Sequence, residues 1–165
     1  MSSQSTFDPL PLLRALTDAG VDFVLIGGVA GAVHGSAYPT YDVDVAYARD
    51  RPNLERLAAM LLQVEATLRA PPDVPFQLDA DSLEQGGNFT FDTRFGPFDI
   101  LAYPEGAAAY DRLRADAEKI DIEGRQIRIA SLDHLIGMKE AAARPKDKLM
   151  ALEYRVLADE QRRQS

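Results

Sequence analysis

The chain has no cysteine and only two histidines among its 165 residues. The missing cysteine excludes a disulfide framework, thiolate metal sites and a thiol nucleophile, and it agrees with a reducing compartment. Zinc is therefore not expected. No apolar run approaches the roughly 18 to 20 residues that a membrane-spanning helix requires. The opening "MSSQSTFDP" lacks the basic start and apolar core of a signal peptide, so the expected location is the cytoplasm, away from membranes. Basic residues are in deficit: 18 Lys and Arg against 26 Asp and Glu give a formal net charge of −8. That balance opposes broad electrostatic binding to nucleic acid and leaves room only for a local basic patch. Internal repeats, low-complexity segments and obvious linkers are also lacking.

What is present is an ordinary globular composition, 46% hydrophobic and 27% charged. The length suits one sizeable core, so residues 1–165 are read as one domain with C-terminal helices from about residue 131. Asp8-Pro9 and the leucines that follow predict a first helix up to Gly20. "VDFVLIGG" reads as a strand stopped by glycines, "GVAGAVHG" as a short helix, and "YDVDVAYA" alternates as a strand does. Pro52 opens a predicted helix running through about Arg69, and "FQLDAD" is expected to form a short strand. Two strands turning at Gly96-Pro97 are expected in "GGNFTFDTRFGPFDILAYP", then a short helix around "EGAAAYDRL" and a hairpin about Glu123-Gly124. Ser131 can cap one helix, and Pro145 opens another that runs to the charged tail. Strands and helices mix without strict alternation, which predicts an α+β fold with a mixed sheet flanked by helices and a C-terminal helical segment.

The stretch from residue 24 to residue 48, "VLIGGVAGAVHGSAYPTYDVDVAYA", sets two glycines after an apolar run and two carboxylates inside another. Side chains two apart on a strand share a face, so Asp42 and Asp44 project together while Val43 and Val45 pack behind them. Neighbouring carboxylates raise each other's pKa unless a cation sits between them, and magnesium, a hard ion preferring oxygen, is the natural candidate. A solvated edge strand would also explain an arbitrary D-x-D. Three features favour the metal: Asp99 lies in a second apolar strand, the glycine pair can bring backbone N–H groups to a phosphate, and Lys139, Arg144, Lys146 and Lys148 offer counter-charge.

The segments "GGVAGAVHG", "TYDVDV", "FDIL" and "LIGMKEAAARPKD" resemble the nucleotidyltransferase fold of DNA polymerase β type, most closely the small bacterial group that includes AbiEii-like toxins of toxin–antitoxin systems. The resemblance covers roughly residues 10–155 and implies a transferase moving an NMP from an NTP to an acceptor hydroxyl. It implies that Gly27 and Gly28 cradle the nucleotide phosphates, that Asp42, Asp44 and Asp99 hold Mg2+ or Mn2+, and that Lys139 contacts the triphosphate. Asp99 would also help deprotonate the acceptor, and Lys146 with Asp147 would belong to an element closing the site. The acceptors implied are a tRNA 3′ end in a toxin-like member, a protein hydroxyl, or a small molecule such as an aminoglycoside, and a cognate antitoxin is an implied partner. Two positions depart from the group's pattern: Tyr38 stands where an arginine is usual, and Met150 where an acid is common. Tyr38 and the short chain leave open a second reading, a catalytically weakened module that binds nucleotide or a partner protein.

His34 is read as a packing residue beneath the glycine loop, since D-x-D chemistry supplies its own base. His134 is read as a capping-turn or surface residue. Thr40 either binds phosphate, with Arg144 and Lys146, or begins the strand. Phe89, Phe91, Phe95 and Phe98 have strand spacing and are expected in the core rather than stacked on a base.

Overall fold

A computed structural model describes residues 7–165; residues 1–6, which begin the stretch read as lacking a signal peptide, lie outside the described residues. Asp8 Oδ1 accepts the Leu10 N–H at 3.0 Å, and helix α1 (Leu10–Asp18) follows, burying Leu12, Leu13 and Leu16. Strand β1 (Phe23–Ile26) is buried along its whole length. It runs directly into a short helix of small residues, α2 (Gly27–Val33), and a loop leads to β2 (Val43–Tyr47). This is the strand, helix and strand expected from the glycine and aspartate pattern, but the glycine pair opens α2 itself rather than forming a separate turn before it.

Helix α3 (Arg51–Gln63) starts on Asp50, whose carboxylate accepts the Asn53 N–H, and buries Leu54, Leu57, Ala58 and Leu61. It stops six residues short of the expected Arg69. Glu65 turns left-handed at φ +58°, and the Ala66 N–H closes onto the Leu61 carbonyl at 2.9 Å, a Schellman-type ending. Glycine usually marks this turn; glutamate fills it here, so the sequence carries no stop signal. The released residues form a two-residue strand, β3 (Thr67–Leu68).

The strand expected in "FQLDAD" does not form. Phe76 instead packs on the Phe89 and Phe91 rings, with centroids 5.8 and 6.3 Å away. Asp79 caps α4 (Ala80–Gln85) by accepting the Ser82 N–H at 2.8 Å. In the following hairpin, β4 (Asn88–Thr93) and β5 (Gly96–Leu101) turn at Arg94-Phe95 rather than Gly96-Pro97. Thr93 Oγ1 accepts the Phe95 N–H and donates to the Gly96 carbonyl, which fixes the shorter loop. Gly96 and Pro97 begin β5, paired with Thr93 and Asp92.

Helix α5 (Tyr110–Ala115) precedes the hairpin of β6 (Glu118–Ile122) and β7 (Arg125–Ile129). Its turn residues Glu123 and Gly124 are both left-handed, at φ +53° and +80°, as the twist of a two-residue hairpin demands. Ser131 Oγ accepts the His134 N–H to cap α6 (Leu132–Ala142), and α7 (Pro145–Gln164) ends the fold.

Among the described residues the strands form one seven-stranded sheet in the order β3-β4-β5-β2-β1-β7-β6. Pairs β1–β7 and β2–β5 are parallel and the rest antiparallel, so the sheet is mixed as expected. Leu25, Val43, Val45, Phe91, Phe98 and Ile100 are wholly buried along it. One set of helices links α1, α3 and α4, and another links α2, α6 and α7. The second set brings the C-terminal cations up to β1 and β2.

Candidate active site

Asp42 and Asp44 flank Val43 at the start of β2; both valines of the V-D-V run are fully buried, while the two carboxylates are only half-buried. Strand β5 lies parallel to β2 with Asp99 directly opposite Asp44. One carboxylate oxygen from each of Asp42, Asp44 and Asp99 lies within 4.8 Å of the others. Burial, then the charges of Asp42 and Asp99, push the Asp44 carboxyl up to about 8. Burial, then Asp99, raises Asp42 as well. Asp99 Oδ1 is buried with no hydrogen-bond partner among the described residues. Three crowded carboxylates with an orphaned oxygen suit a cation, and an all-oxygen donor set favours a hard divalent ion such as magnesium or manganese.

The glycine pair has a steric reason in this site. Gly27 opens α2 at φ +71°, and a Cβ there would lie 2.0 Å from Asp44 Oδ2. A Cβ on Gly28 would lie 2.7 Å from Thr40 Oγ1. The missing side chains therefore admit the site's own carboxylate and hydroxyl. Thr40 does not begin the strand: it precedes β2, donates to the Asp42 carbonyl at 3.3 Å and lines the cavity.

That cavity, about 470 Å³, joins the carboxylates to a basic wall of Lys139, Arg144 and Lys146. Asp147 organises this wall. Only 1% exposed, it accepts from Arg144 Nε at 2.7 Å and from Lys139 Nζ at 3.4 Å. The Arg144 hydrogen bond holds its carboxyl below the ordinary range despite burial. Its place in the first turn of α7 also offsets the cost of cations at a helix N-terminus. Lys148 is exposed on α7 and does not line the cavity.

One cavity cation escapes a reading of the sequence. Arg69 follows β3 and lines the cavity, and Asp92 on β4 holds its guanidinium through Nε and Nη2. The helical spacing of the leucines before it places Arg69 at the end of a helix, and a two-residue strand is too short to announce itself by alternation. In sheet order Arg69 lies beyond Asp99, whereas Gly27, Gly28 and the α6 lysine lie on the side of β1. A second, more apolar cavity of about 220 Å³ adjoins Asp44 and Lys139 and is lined by Ile26, Leu101, Leu135 and Met138.

Of the other singled-out residues, all but Met150 fall outside the cavity. His34 bonds the Ala130 carbonyl at 2.8 Å and Gln161 at 3.1 Å, tying α2 to its neighbours. His134 contacts Asp116 at 2.8 Å. Phe91 and Phe98 are core, with Phe89 and Phe95 packed against them. Tyr38 is half-buried against the core and places no cation at the carboxylates, and Met150 is a buried part of the cavity wall.

No family model matches the chain, and no curated protein matches it. Solved structures do. The lincosamide antibiotic adenylyltransferase LnuA, in its lincomycin-bound form, superposes with a TM-score of 0.62 at 13% identity over 90% of this chain and 94% of that one. The chain has the nucleotidyltransferase fold. An antigenic nucleotidyltransferase-like protein from Paracoccidioides brasiliensis superposes with a TM-score of 0.57 at 14% identity, over 89% of this chain and 72% of that one. The antibiotic-resistance factor ANT(2'')-Ia does so with a TM-score of 0.53 at 16% identity, over 93% and 88%. At such identities the likeness is one of architecture. The carboxylate cluster and basic wall are observations of this chain's own residues.

Proposed function

We propose that this chain is a divalent-metal-dependent nucleotidyltransferase, moving an NMP from an NTP to an acceptor hydroxyl with release of pyrophosphate. The observation that carries the reading is the meeting of Asp42, Asp44 and Asp99 in one cavity with Lys139, Arg144 and Lys146. Asp42, Asp44 and Asp99 would hold Mg2+ or Mn2+. Divalent cations bound to such a set polarise the α-phosphate and offset charge on the leaving pyrophosphate. Lys139 and Arg144, oriented by Asp147, and Lys146 beside them neutralise the β- and γ-phosphates. Gly27 and Gly28 give their side-chain space to Asp44 and Thr40, which lets both groups close on the start of α2 beside the phosphates, and the Thr40 hydroxyl turns from the Asp42 carbonyl to donate to one of them. Asp99, at the edge of the set nearest Arg69, receives the acceptor's hydroxyl proton.

Two readings of the acceptor follow from different observations. The names of LnuA and ANT(2'')-Ia connect this fold with antibiotics, and the net charge of −8 agrees with a small hydroxyl compound rather than nucleic acid. The sequence resemblance to AbiEii-like toxins favours a tRNA 3′ end, with a cognate antitoxin as partner. Transfer from each α-labelled NTP, with Mg2+ or Mn2+, to tRNA, to soluble protein and to a panel of hydroxyl-bearing antibiotics separates them. Asp44→Asn is expected to lower transfer by on the order of a hundredfold or more while the protein stays folded. Wild-type transfer at an unchanged rate in the variant would sink the metal assignment. Nucleotide binding without turnover on any acceptor would favour the weakened-module reading, for which Tyr38 in place of an arginine speaks.

A further inference from the structure

Helix α7 packs by one side and leaves another uncovered. Met150, Ala151, Tyr154 and Ala158 are buried, whereas Leu149, Leu152 and Val156 are 57%, 60% and 57% exposed. At 100° per residue the exposed three form a stripe opposite the buried four. Their spacing of three and then four is that of a, d and a in a heptad repeat. Met150, Ala151 and Tyr154 then fall at b, c and f, so the helix can serve its own core and still present a complete a/d edge.

From Lys148 onward the flanks of this edge are sorted by charge: the g positions are Lys148, Arg155 and Arg162 and the e positions are Glu153 and Glu160, with Lys146 at the e position before the seam. In a parallel helix pair each g residue faces the partner's e residue of the next heptad, which sets Lys148 against Glu153 and Arg155 against Glu160, each twice by symmetry. In an antiparallel pair g meets g and e meets e, which here sets the g cations Lys148, Arg155 and Arg162 against one another. We propose that α7 is a dimerisation seam at which two copies of this chain pair through Leu149, Leu152 and Val156 with their helices parallel and in register.

Within one chain Glu153 accepts from Ser36 and the Ala37 N–H, Arg155 pairs with Glu140, and Arg162 with Asp159. Arg155 and Arg162 sit in exposed pairs of little net worth and can face a partner instead, while the half-exposed Glu153 would meet a partner's Lys148 with its carboxylate still held by Ser36 and Ala37. Beyond Val156 the a/d positions are Asp159 and Arg163, so the apolar seam spans about two turns. Such a small seam is that of a weak, concentration-dependent dimer. Leu149 adjoins Met150 in the cavity wall, so parallel pairing sets both cavities at one end of the dimer.

The native chain lacks cysteine, which makes the test direct. Single variants Leu149→Cys and Val156→Cys, with the equally exposed Leu62→Cys as control, are oxidised mildly at micromolar to several hundred micromolar protein. The proposal expects disulfide-linked dimers from Leu149→Cys and from Val156→Cys, at least tenfold faster than from Leu62→Cys. Sedimentation velocity of the native chain is expected to show a concentration-dependent monomer–dimer equilibrium. Leu152→Glu should abolish it, Arg155→Glu should weaken it, and Arg155→Glu with Glu160→Arg should restore it. A native chain that stays monomeric throughout, or cross-links appearing only between Leu149→Cys and Val156→Cys mixed together, would overturn the parallel seam. Circular dichroism of each variant keeps loss of fold distinguishable, and none of these readouts depends on the proposed transferase activity.

Discussion

Asp147 illustrates how one buried carboxylate can organise a site that it does not itself have to enter. It binds Arg144 and Lys139 at once, joining a cation at the start of α7, where the macrodipole opposes it, to a lysine in the last turn of α6. Asp147→Asn is expected to raise the KM for NTP about tenfold with a smaller change in kcat, since it removes a charge-assisted hydrogen bond worth roughly 1.5–3 kcal/mol to their positioning. Steady-state kinetics with varied NTP checks this, and an unchanged KM would assign Asp147 to stability alone. Gly27 makes the complementary case. Gly27→Ala meets both a left-handed backbone, costing about 1–2 kcal/mol, and Asp44 Oδ2 at 2.0 Å from the new Cβ. Overpacking of that kind adds about 1–3 kcal/mol, so chemical denaturation should show a destabilisation larger than either cause alone. The same displacement of Asp44 should weaken divalent-ion binding.

At the scale of elements, the ending of α3 decides where Arg69 lies. Glu65, exposed and at φ +58°, holds a conformation that glycine adopts more readily. Glu65→Gly is expected to stabilise the chain by about 1 kcal/mol: relief of roughly 1–2 kcal/mol in the folded state exceeds the 0.4–1 kcal/mol of added freedom when unfolded. An urea midpoint unchanged or lowered would show that the Glu65 side chain compensates for its backbone. Strand β3 and helix α4 were both hidden from sequence reading for related reasons. The first has two residues, too few for alternation, and the second depends on Asp79 turning a stretch with strand-like composition into a capped helix. The Glu123-Gly124 hairpin, the Ser131 cap and the Pro145 start were legible because each is written in local turn or cap chemistry.

For the whole molecule, the carboxylate cluster couples stability to pH and to cations. The Asp44 carboxyl moves from an ordinary 3.8 up to about 8 on folding, so between these values the folded chain holds a proton that the unfolded chain has released. That contribution is full below the unfolded value and is lost as pH rises through about 8, and Asp42 shifts in the same direction. Thermal melting in EDTA is therefore expected to fall as pH rises from about 5 to about 9, other groups held constant by comparison with Asp44→Asn. Magnesium should stabilise progressively more over the same range, because it replaces the proton between the carboxylates. A melting temperature in EDTA that is equally steep in Asp44→Asn would place the dependence elsewhere.

The sequence by itself determined the periodic features: the amphipathic helices, the alternating strands, the glycines before a helix, and Asp42 and Asp44 on one face of a strand. These follow from backbone geometry over a few residues, which side-chain pattern reports directly. Tertiary structure alone decided which strand lies beside β2, and hence that Asp99 meets Asp44 across a parallel pair. It also decided that Gly27 yields its space to a carboxylate, that Asp147 gathers Lys139 and Arg144, and that Arg69 reaches the cavity from the sheet edge. Each of these is a contact between residues distant in the chain, fixed by strand register and helix packing rather than by any local preference.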